Sequence, residues 1–369
     1  MWDLSAVVFK GCEGGRILPG DRTAINKASA TVCYACAMVG ATLAPPRRMI
    51  QAALLGLAVG LGGCRVPPAA QAPARPHVVF VTGDCEYRSE ITMPMIGGIL
   101  EARHGIRCSY VFANDPATGA AAPRHLQHLD GLESLETADL AVFFLRFREL
   151  PEQEAAQILS YCDSGRPIVA LRTSTHAFRY PESSPLVWLN DGFGERFLGQ
   201  KWISHHGHDS STHVQVTLRD HPITRGLPPA FECRSWLYHV TPLCGDCMTL
   251  AIGSAHRGES SAGPPFGQPN PVAWTKDLLT SSGKTTRVFY TSLGHPADFE
   301  QEPVRRLLIQ GIYWALGRES DIPAGGCGAD PVGSYQAPPT TQALQHSNLP
   351  RPLASGVPGI SADKMATRR

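Results

Sequence analysis

Three short histidine segments hold most of the side chains that could do chemistry in this chain. They are Arg172 to Phe178 (RTSTHAF), Lys201 to His208 (KWISHHGH) and Tyr290 to Pro296 (YTSLGHP). The first and third directly follow apolar, strand-like runs, so in a parallel sheet their histidines would lie together at the carboxyl edge. Open α/β sheets bind ligands at that edge. A neutral imidazole there can donate at one nitrogen and accept at the other near pH 7.

The run His205-His206-Gly207-His208 could bind a metal or act directly through its imidazoles. If the chain is extended there, His206 and His208 lie on the same side and His205 lies opposite, although Gly207 permits a bend. Two histidines at that spacing suit a divalent metal such as zinc, so we predict His206 and His208 as a candidate metal pair. Direct binding or proton transfer by one imidazole is one alternative, and a purely structural role is the other. The remaining metal ligands would come from His176, His295, Asp84 or Glu86.

The carboxyl ends of the predicted parallel strands carry further polar groups. Gly83 to Glu90 (GDCEYRSE) follows the first strand, Arg146 the third, and Arg172 and His176 the fourth. Structural alternatives exist, because Asp84 can cap the next helix and Arg146 can pair with a surface acid. Together on one rim, these groups indicate a binding site. We predict His176, His206 and His295 as catalytic residues and, as substrate-binding residues, Asp84, Glu86, Tyr87, Arg88, Arg146, Arg172, Trp236 and Tyr238.

Short apolar runs alternate with amphipathic segments between residues 75 and 317. The runs suit strands buried on both faces, and the segments with a 3.6-residue period suit helices. This alternation predicts an α/β fold with a doubly wound, mostly parallel sheet. The predicted strands are His77–Val81, Cys108–Phe112, Leu140–Leu145, Ile168–Leu171 and Arg287–Thr291, and the predicted helices are Met93–His104, Pro151–Tyr161 and Glu302–Leu316.

Three further runs predict an insertion of extra strands, antiparallel or not, ahead of the last parallel strand. They are His213–Leu218, Met248–Ile252 and Val272–Thr275. From Asp321 onward the chain is rich in Pro, Gly, Ser, Thr and Gln without an apolar period, which predicts disorder. We therefore place the folded domain at residues 77–318 and a disordered tail at residues 319–369.

The amino-terminal region is typical of a leader and a tether. Arg47-Arg48 followed by the apolar stretch Ile50 to Leu61 predicts a secretory signal peptide. A single buried helix is the alternative, but this stretch is too short to span a bilayer. Leu61-Gly62-Gly63-Cys64 resembles a bacterial lipobox, so we expect a lipid on Cys64 and an exported, membrane-anchored protein. The predicted segments are a doubtful leader at 1–37, the signal peptide from Met38 to residue 63, and a Pro/Ala linker at 64–76.

The composition excludes one class of partner. The chain has 369 residues, of which 18% are charged, and its formal net charge is +1. It has neither a stripe of Lys and Arg nor a nucleic-acid-binding motif, which argues against a phosphate-backbone partner. Small molecules are the expected ligands.

Five segments, in order, resemble the ThuA-like family, which is named for trehalose utilisation. They are VFVTGDCEYRSE, IVALRTSTHAF, KWISHHGH, DHPITRGL, and PVAW followed by RVFYTSLGHP. The resemblance covers roughly residues 76–317. It implies a flavodoxin-like fold related to class I glutamine amidotransferases and a role in carbohydrate metabolism. Because aromatic faces stack on sugars, Trp236 and Tyr238 are candidates for a sugar site, with core packing as the alternative.

The amidotransferase relationship does not extend to glutamine hydrolysis. Those enzymes need a Cys nucleophile in a Gly-x-Cys-x-Gly elbow, whereas Arg172 to His176 contains no cysteine. The later segment keeps His295-Pro296 but continues with Ala297 where the family of enzymes has Glu. A substitute nucleophile, Ser174 with His295 as its base, is the remaining hypothesis of this kind.

Two classes of function remain open. The first is a carbohydrate enzyme of the isomerase or lyase type, which moves protons between neighbouring carbons of a keto-sugar or glycoside. A divalent metal is a candidate cofactor of this enzyme. The second is a noncatalytic carbohydrate-binding or scaffold module on the same fold. Both imply a small carbohydrate ligand. For the enzyme, a sugar dehydrogenase in the same pathway is a candidate partner.

Overall fold

The computed structural model describes residues 75–259 and 261–341. The predicted leader, signal peptide and Cys64 lie outside these ranges. No helix within them is long and apolar enough to cross a membrane. The helices are α1 (Ser89–His104), α2 (Glu152–Asp163), α3 (Leu189–Gly192) and α4 (Glu302–Ala315). The strands are β1 (His77–Gly83), β2 (Arg107–Phe112), β3 (Leu140–Leu145), β4 (Ile168–Leu171), β5 (Ser204–His205), β6 (Ser210–Val216), β7 (Ala230–Cys233), β8 (Tyr238–His239), β9 (Asp246–Arg257), β10 (Pro265–Leu279) and β11 (Thr285–Thr291).

Nine strands form one mixed sheet in the order β2-β1-β3-β4-β11-β10-β9-β6-β7. The first five in this order run parallel, and the remaining four pair antiparallel. The predicted α/β fold with a parallel core is therefore confirmed. The predicted insertion is also present, because its strands form the antiparallel half. Strands β5 and β8 make a separate short pair.

The central strands β3 and β4 are apolar along their whole length because side chains on both faces are covered. Strand β3 (LAVFFL) is buried at every position. Along β1, Val78 and Phe80 join a core that includes residues of α1 and α4, whereas Val79 and Val81 join a second core with residues of α2. Successive side chains of a strand point to opposite faces, so this alternation places helices against both sides of the sheet.

The ends of α1 show what an apolar period misses. The helix begins at Ser89, four residues before the predicted start at Met93. The apolar period missed the first turn because this turn is polar and carries Glu90. Arg88, which precedes it, has a left-handed backbone with φ of 60°. The helix ends in front of Gly105, whose φ of 62° suits the left-handed cap that glycine adopts at low cost.

Residues 319–341, which the sequence assigns to a disordered tail, pack against the domain instead. Ile322, Cys327 and Ala329 are buried. Arg305 Nε donates to the Ala329 carbonyl at 2.7 Å, and Arg306 Nε donates to the Cys327 carbonyl at 3.1 Å. Arginines of α4 thus hold this segment through its backbone, and such bonds leave no apolar period in the sequence. Residues 342–369 lie outside the described ranges.

Candidate functional site

A cavity lies where the order of the parallel strands reverses. In the chain β1 is followed by β2 on one side, and β3 then pairs with the other side of β1. The loops after β1 and β3 diverge at such a point, and open α/β sheets bind ligands there. The cavity has a volume of about 500 Å³ and is lined by residues 85–87 after β1, 146–147 after β3 and His176 after β4.

Asp84 shapes the loop after β1 but does not line the cavity. Its Oδ2 accepts the backbone N–H of Glu86 at 3.2 Å and that of Tyr87, and its Oδ1 accepts from the Thr173 hydroxyl at 3.2 Å. Burial raises the pKa of Asp84 to about 7, although the N–H of Tyr87 favours the ionised form. Its carboxyl group therefore positions Glu86 and Tyr87, in place of the predicted contact with substrate.

Glu86 and Arg146 form an ion pair in the cavity, with Oε2 and Nη2 2.8 Å apart. Arg146 Nη1 also donates to the Cys85 sulfur at 3.3 Å, and the guanidinium carbon lies 4.2 Å from the centre of the Phe147 ring. Burial, the largest single effect, would lower the pKa of Arg146, but the Glu86 carboxylate together with Cys85 and Asp84 outweighs it, and the net effect raises the pKa. Arg146 is therefore a fixed positive charge at this wall.

His176 lies among aromatic rings at the end of β4. Its ring centre is 5.1 Å from that of Trp202 and 5.2 Å from that of Phe147. Burial, reinforced by the charges of Arg146 and Arg172, lowers its pKa well below the usual 6.5. The imidazole is consequently neutral near pH 7. Nδ1 is shielded and has no hydrogen-bond partner among the described residues, so Nε2 is the nitrogen open to a ligand.

Four neighbouring rings, here called the aromatic wall, line another part of the cavity: Trp202, His205, His208 and Trp236. The His208 and Trp236 rings are 4.0 Å apart at 15°, the His205 and His208 rings 5.1 Å apart at 21°. The pairing of β5 with β8 holds His205 opposite Tyr238. Burial lowers the pKa of His205. The wall presents flat ring surfaces to the cavity.

The predicted alignment of His206 with His208 is wrong. Strand β5 ends at His205 and a turn at residues 207–210 follows, so the alternation of an extended chain stops there. His205 and His208 line the cavity, whereas His206 does not. The His206 ring instead stacks on His239 with 4.3 Å between centres. His206 therefore has no access to a ligand in this cavity as a base or as a metal ligand.

Arg172 supports the cavity from beneath and does not line it. It is fully buried, and its guanidinium donates to the Ser292 carbonyl at 2.9 Å and to the Tyr87 hydroxyl at 3.1 Å. The guanidinium carbon lies 4.5 Å from the Tyr87 ring centre and 4.6 Å from that of Tyr238. The predicted substrate contact is thus replaced by cation–π support of two rings that do line the cavity.

His295 and Arg88, which the sequence places in the site, also lie outside the cavity lining. His295 begins the 3₁₀ turn Pro296–Glu300, where its Nδ1 accepts a backbone N–H, and its ring centre is 6.0 Å from that of Tyr87. Arg88 Nε is 2.6 Å from the Glu90 carboxylate. Both residues therefore stabilise the neighbourhood of the site through local bonds.

Two further chemical hypotheses fail on geometry. The Ser174 hydroxyl donates to the Phe143 carbonyl at 2.8 Å and accepts the Leu145 N–H at 3.1 Å, so it serves the sheet and is not an exposed nucleophile. Within residues 75–259 and 261–341, no three or more His, Cys, Asp or Glu side chains are grouped so that they could hold a metal ion. The donor set of the cavity does not fit the predicted divalent metal.

Seven predicted residues do meet at the cavity: Glu86, Tyr87, Arg146, His176, His208, Trp236 and Tyr238. Seven others were not predicted: Cys85, Arg124, Leu126, Phe147, Trp202, His205 and Thr341. Trp202 and His205 belong to the KWISHHGH segment, and Phe147 is next to Arg146, so proximity in sequence was a usable signal. Arg124 and Thr341 come from segments with no periodic pattern, where no such signal exists.

Comparison with known proteins gives the family of the chain. The sequence model of the family described as ThuA, trehalose utilisation, matches residues 87–315. The chain belongs to the ThuA family. A search of curated proteins finds no match. Similar solved structures include a ThuA-like protein of Bacteroides uniformis, with 17% identity, 67% of this chain and 94% of that chain covered and a TM-score of 0.46, and one of Parabacteroides merdae, with 16% identity, 66% and 90% covered and a TM-score of 0.44.

Proposed function

We propose that the cavity binds a sugar ring and that His176 moves a proton on it. The observation that carries the proposal is one cavity lined by a neutral imidazole, an aromatic wall and the Glu86/Arg146 ion pair. Aromatic rings take the apolar face of a sugar, and the charged pair takes its hydroxyl or carbonyl oxygens. The family's association with trehalose utilisation supports a carbohydrate as the ligand.

A keto-sugar offers the proton that a neutral imidazole can remove. Nε2 of His176 takes the proton from the carbon next to the carbonyl, the C–H electron pair becomes the double bond of an enediolate, and the carbonyl oxygen takes the negative charge. Arg146 stabilises that charge. The carbon that loses the proton carries a hydroxyl group. The proton then returns to the former carbonyl carbon, and the proton of that neighbouring hydroxyl moves to the former carbonyl oxygen, so that the hydroxyl carbon becomes the new carbonyl and no oxidant or reductant is consumed. Because keto-sugars arise by oxidation of a hydroxyl, we propose a sugar dehydrogenase as the preceding enzyme.

Exchange of sugar protons with deuterated water, followed by NMR, tests the role of His176. In His176→Gln we expect the exchange rate of a keto-glycoside to fall by about 10² to 10⁴, the usual contribution of a general base. Sugar affinity should change only a few-fold, since the wall and the ion pair remain. Because the wild-type base is neutral to well below pH 6.5, its exchange rate should stay constant as the pH falls from 8 to 6.5.

The matched control is His213→Gln, because His213 is half-exposed on β6 and bonded to Glu232 at 2.7 Å, outside the cavity lining. Its exchange rate should equal that of the wild type. Undiminished exchange in His176→Gln would remove the assigned base. Loss of exchange in His206→Gln alone would assign the role to His206, another of the residues that the sequence predicts as catalytic.

One observation favours the second candidate, a noncatalytic carbohydrate-binding module. Catalytic imidazoles are usually oriented by a third group, and Nδ1 of His176 has no hydrogen-bond partner among the described residues. Sugar binding without proton exchange in the wild type, on every keto-sugar tried, would establish this alternative.

We also infer the finer class of the fold. The order β2-β1-β3-β4-β11 in the parallel half is the flavodoxin-like order. It supports a doubly wound sheet related to that of class I glutamine amidotransferases.

Export and lipid anchoring through Cys64 are proposals that rest on the signal-like segment and the lipobox resemblance. A Cys64→Ser form expressed in a bacterium should move from the membrane fraction to the soluble fraction, since no acyl chain can then be attached. The measurement is fractionation followed by immunoblotting, with wild type alongside. A Cys64→Ser form that stays with the membrane would contradict the anchor.

A further inference from the structure

Positively charged side chains outnumber negatively charged ones in the lining of the cavity. Among the described lining residues Glu86 is the one acid, and Arg146 already pairs with it. His176 and His205 both have lowered pKa values because of burial. Arg124 is exposed at the rim and makes no ion pair with a described residue. The cavity therefore has one positive charge that the described part of the chain leaves unneutralised.

Arg124 stands on an anchored stretch of backbone. Arg148, which is fully buried, donates from Nη2 to the Pro123 carbonyl at 2.6 Å and from Nη1 to the His125 carbonyl at 2.9 Å. Its Nε donates to the Arg146 carbonyl at 3.3 Å. One buried guanidinium thus fixes the backbone on both sides of Arg124 and the backbone of Arg146. The backbones of the two arginines that line the cavity, Arg124 and Arg146, are therefore fixed relative to each other before any ligand binds.

The lining side chains also have unused donors. Three buried donors of lining residues have no hydrogen-bond partner among the described residues: Arg146 Nε, Trp202 Nε1 and Trp236 Nε1. By contrast, no side-chain oxygen of a described lining residue is both buried and without a hydrogen-bond partner. A buried donor without an acceptor is costly. Ionised carboxylates and phosphates are acceptors only, so small shifts of these side chains toward such a group would satisfy them.

We infer that the ligand is an anionic sugar, carrying a carboxylate or a phosphate, and that Arg124 binds the anionic group. The inference rests on the proposed sugar site and adds the charge of its ligand. The planar guanidinium of arginine forms paired, charge-assisted hydrogen bonds with either group. Arg124 sets specificity at the rim, while the aromatic wall takes the ring.

Titration of the full chain with three sugars, followed by calorimetry and by tryptophan fluorescence, tests the inference. The probes are glucose, glucuronate and glucose 6-phosphate. We expect one or both anions to bind about tenfold more tightly than glucose, as one charge-assisted pair predicts. Arg124→Gln should reduce that preference to about twofold or less, and Arg124→Lys should retain part of it.

Arg219→Gln is the control, because it removes the same charge from an exposed position outside the cavity lining; the preference for the anion should persist in it. Which of the two anions binds more tightly separates a carboxylate from a phosphate. Equal affinities for glucose and both anions would overturn the inference but keep the sugar site. An anion preference that survives Arg124→Gln would overturn the assignment of Arg124. Failure of all three sugars to bind would overturn both the sugar site and the inference.

Discussion

Asp84 couples the geometry of the site to pH at the scale of a single residue. Its buried carboxyl accepts the N–H groups that shape the loop carrying Glu86 and Tyr87. Burial raises its pKa from 3.8 to about 7, so between these values the native state holds a proton that the unfolded chain has released. Stability falls with rising pH wherever the native state binds more protons. Asp84 therefore lowers the stability of the protein as the pH rises from about 4 to about 7.

Asp84→Asn should remove this pH dependence. The asparagine oxygen can still accept the N–H groups, and its amide can donate to the Thr173 hydroxyl, so the loop is retained. Relative to D84N, the wild type should lose melting temperature as the pH rises from about 4 to about 7, by on the order of 5 °C, and the difference should then level off. Thermal melts of both proteins between pH 4 and pH 8 measure it.

Asp220→Asn provides the control for that comparison, because Asp220 is exposed. The melting temperature of this variant, plotted against pH, should run parallel to that of the wild type. A constant offset between D84N and the wild type across the range would show that the Asp84 carboxyl titrates at an ordinary pKa. The pKa assignment would then be wrong.

At the scale of elements, the segment at residues 335–341, here called the strap, completes the rim of the cavity. The Tyr335 hydroxyl donates to the Pro296 carbonyl at 2.9 Å, and the Ala337 N–H donates to the Glu300 carboxylate at 2.9 Å. The Thr341 N–H donates to the Glu86 carbonyl at 2.9 Å, and Thr341 lines the cavity. The family match ends at residue 315, so the strap lies outside the matched part of the chain.

Two truncations should separate the strap from the segment before it. A chain ending at residue 334 loses the strap and should bind sugar a few-fold more weakly, with nearly the same unfolding free energy. A chain ending at residue 321 also loses the buried Ile322, Cys327 and Ala329. We expect this second truncation to cost about 2–4 kcal/mol of stability. Urea unfolding and sugar titration measure both effects.

A chain ending at residue 341 is the control, because it keeps every contact described for the strap. It should match the full chain in both measurements. Unchanged sugar affinity after truncation at residue 334 would show that the strap does not contribute to the rim. Equal stability of the chains ending at 321 and 334 would contradict the packing of residues 322–329.

At the scale of the whole molecule, the parallel half of the sheet was predictable because its strands have a simple physical signature. Strands covered on both faces are apolar at every position, and the predicted Leu140–Leu145 and Ile168–Leu171 coincide with β3 and β4. The position of the site at the carboxyl ends of these strands follows from the same topology. The signature is missing from residues 319–341. The side chains of Arg305 and Arg306 hold this segment by donating hydrogen bonds to its backbone carbonyls, and such bonds require no apolar pattern.

The detailed site was less predictable, because loops decide which side chains reach a cavity. The alternation rule selected His206, but the turn at residues 207–210 brings His205 and His208 to the cavity in its place. Arg172 has the right position in sequence, yet its burial assigns it to supporting Tyr87 and Tyr238. Residue types thus identified the edge of the sheet, whereas loop conformation determined the roles.

The three bonds of Arg148 make the placement of both cavity arginines depend on one buried side chain. Its guanidinium joins the carbonyls of Pro123 and His125 to that of Arg146, segments that are more than 20 residues apart in the chain. A substitution at position 148 would remove all three bonds in one step. The backbones at Arg124 and Arg146 would then lose their shared anchor together, so a change at a residue outside the cavity lining is expected to alter two parts of that lining at once.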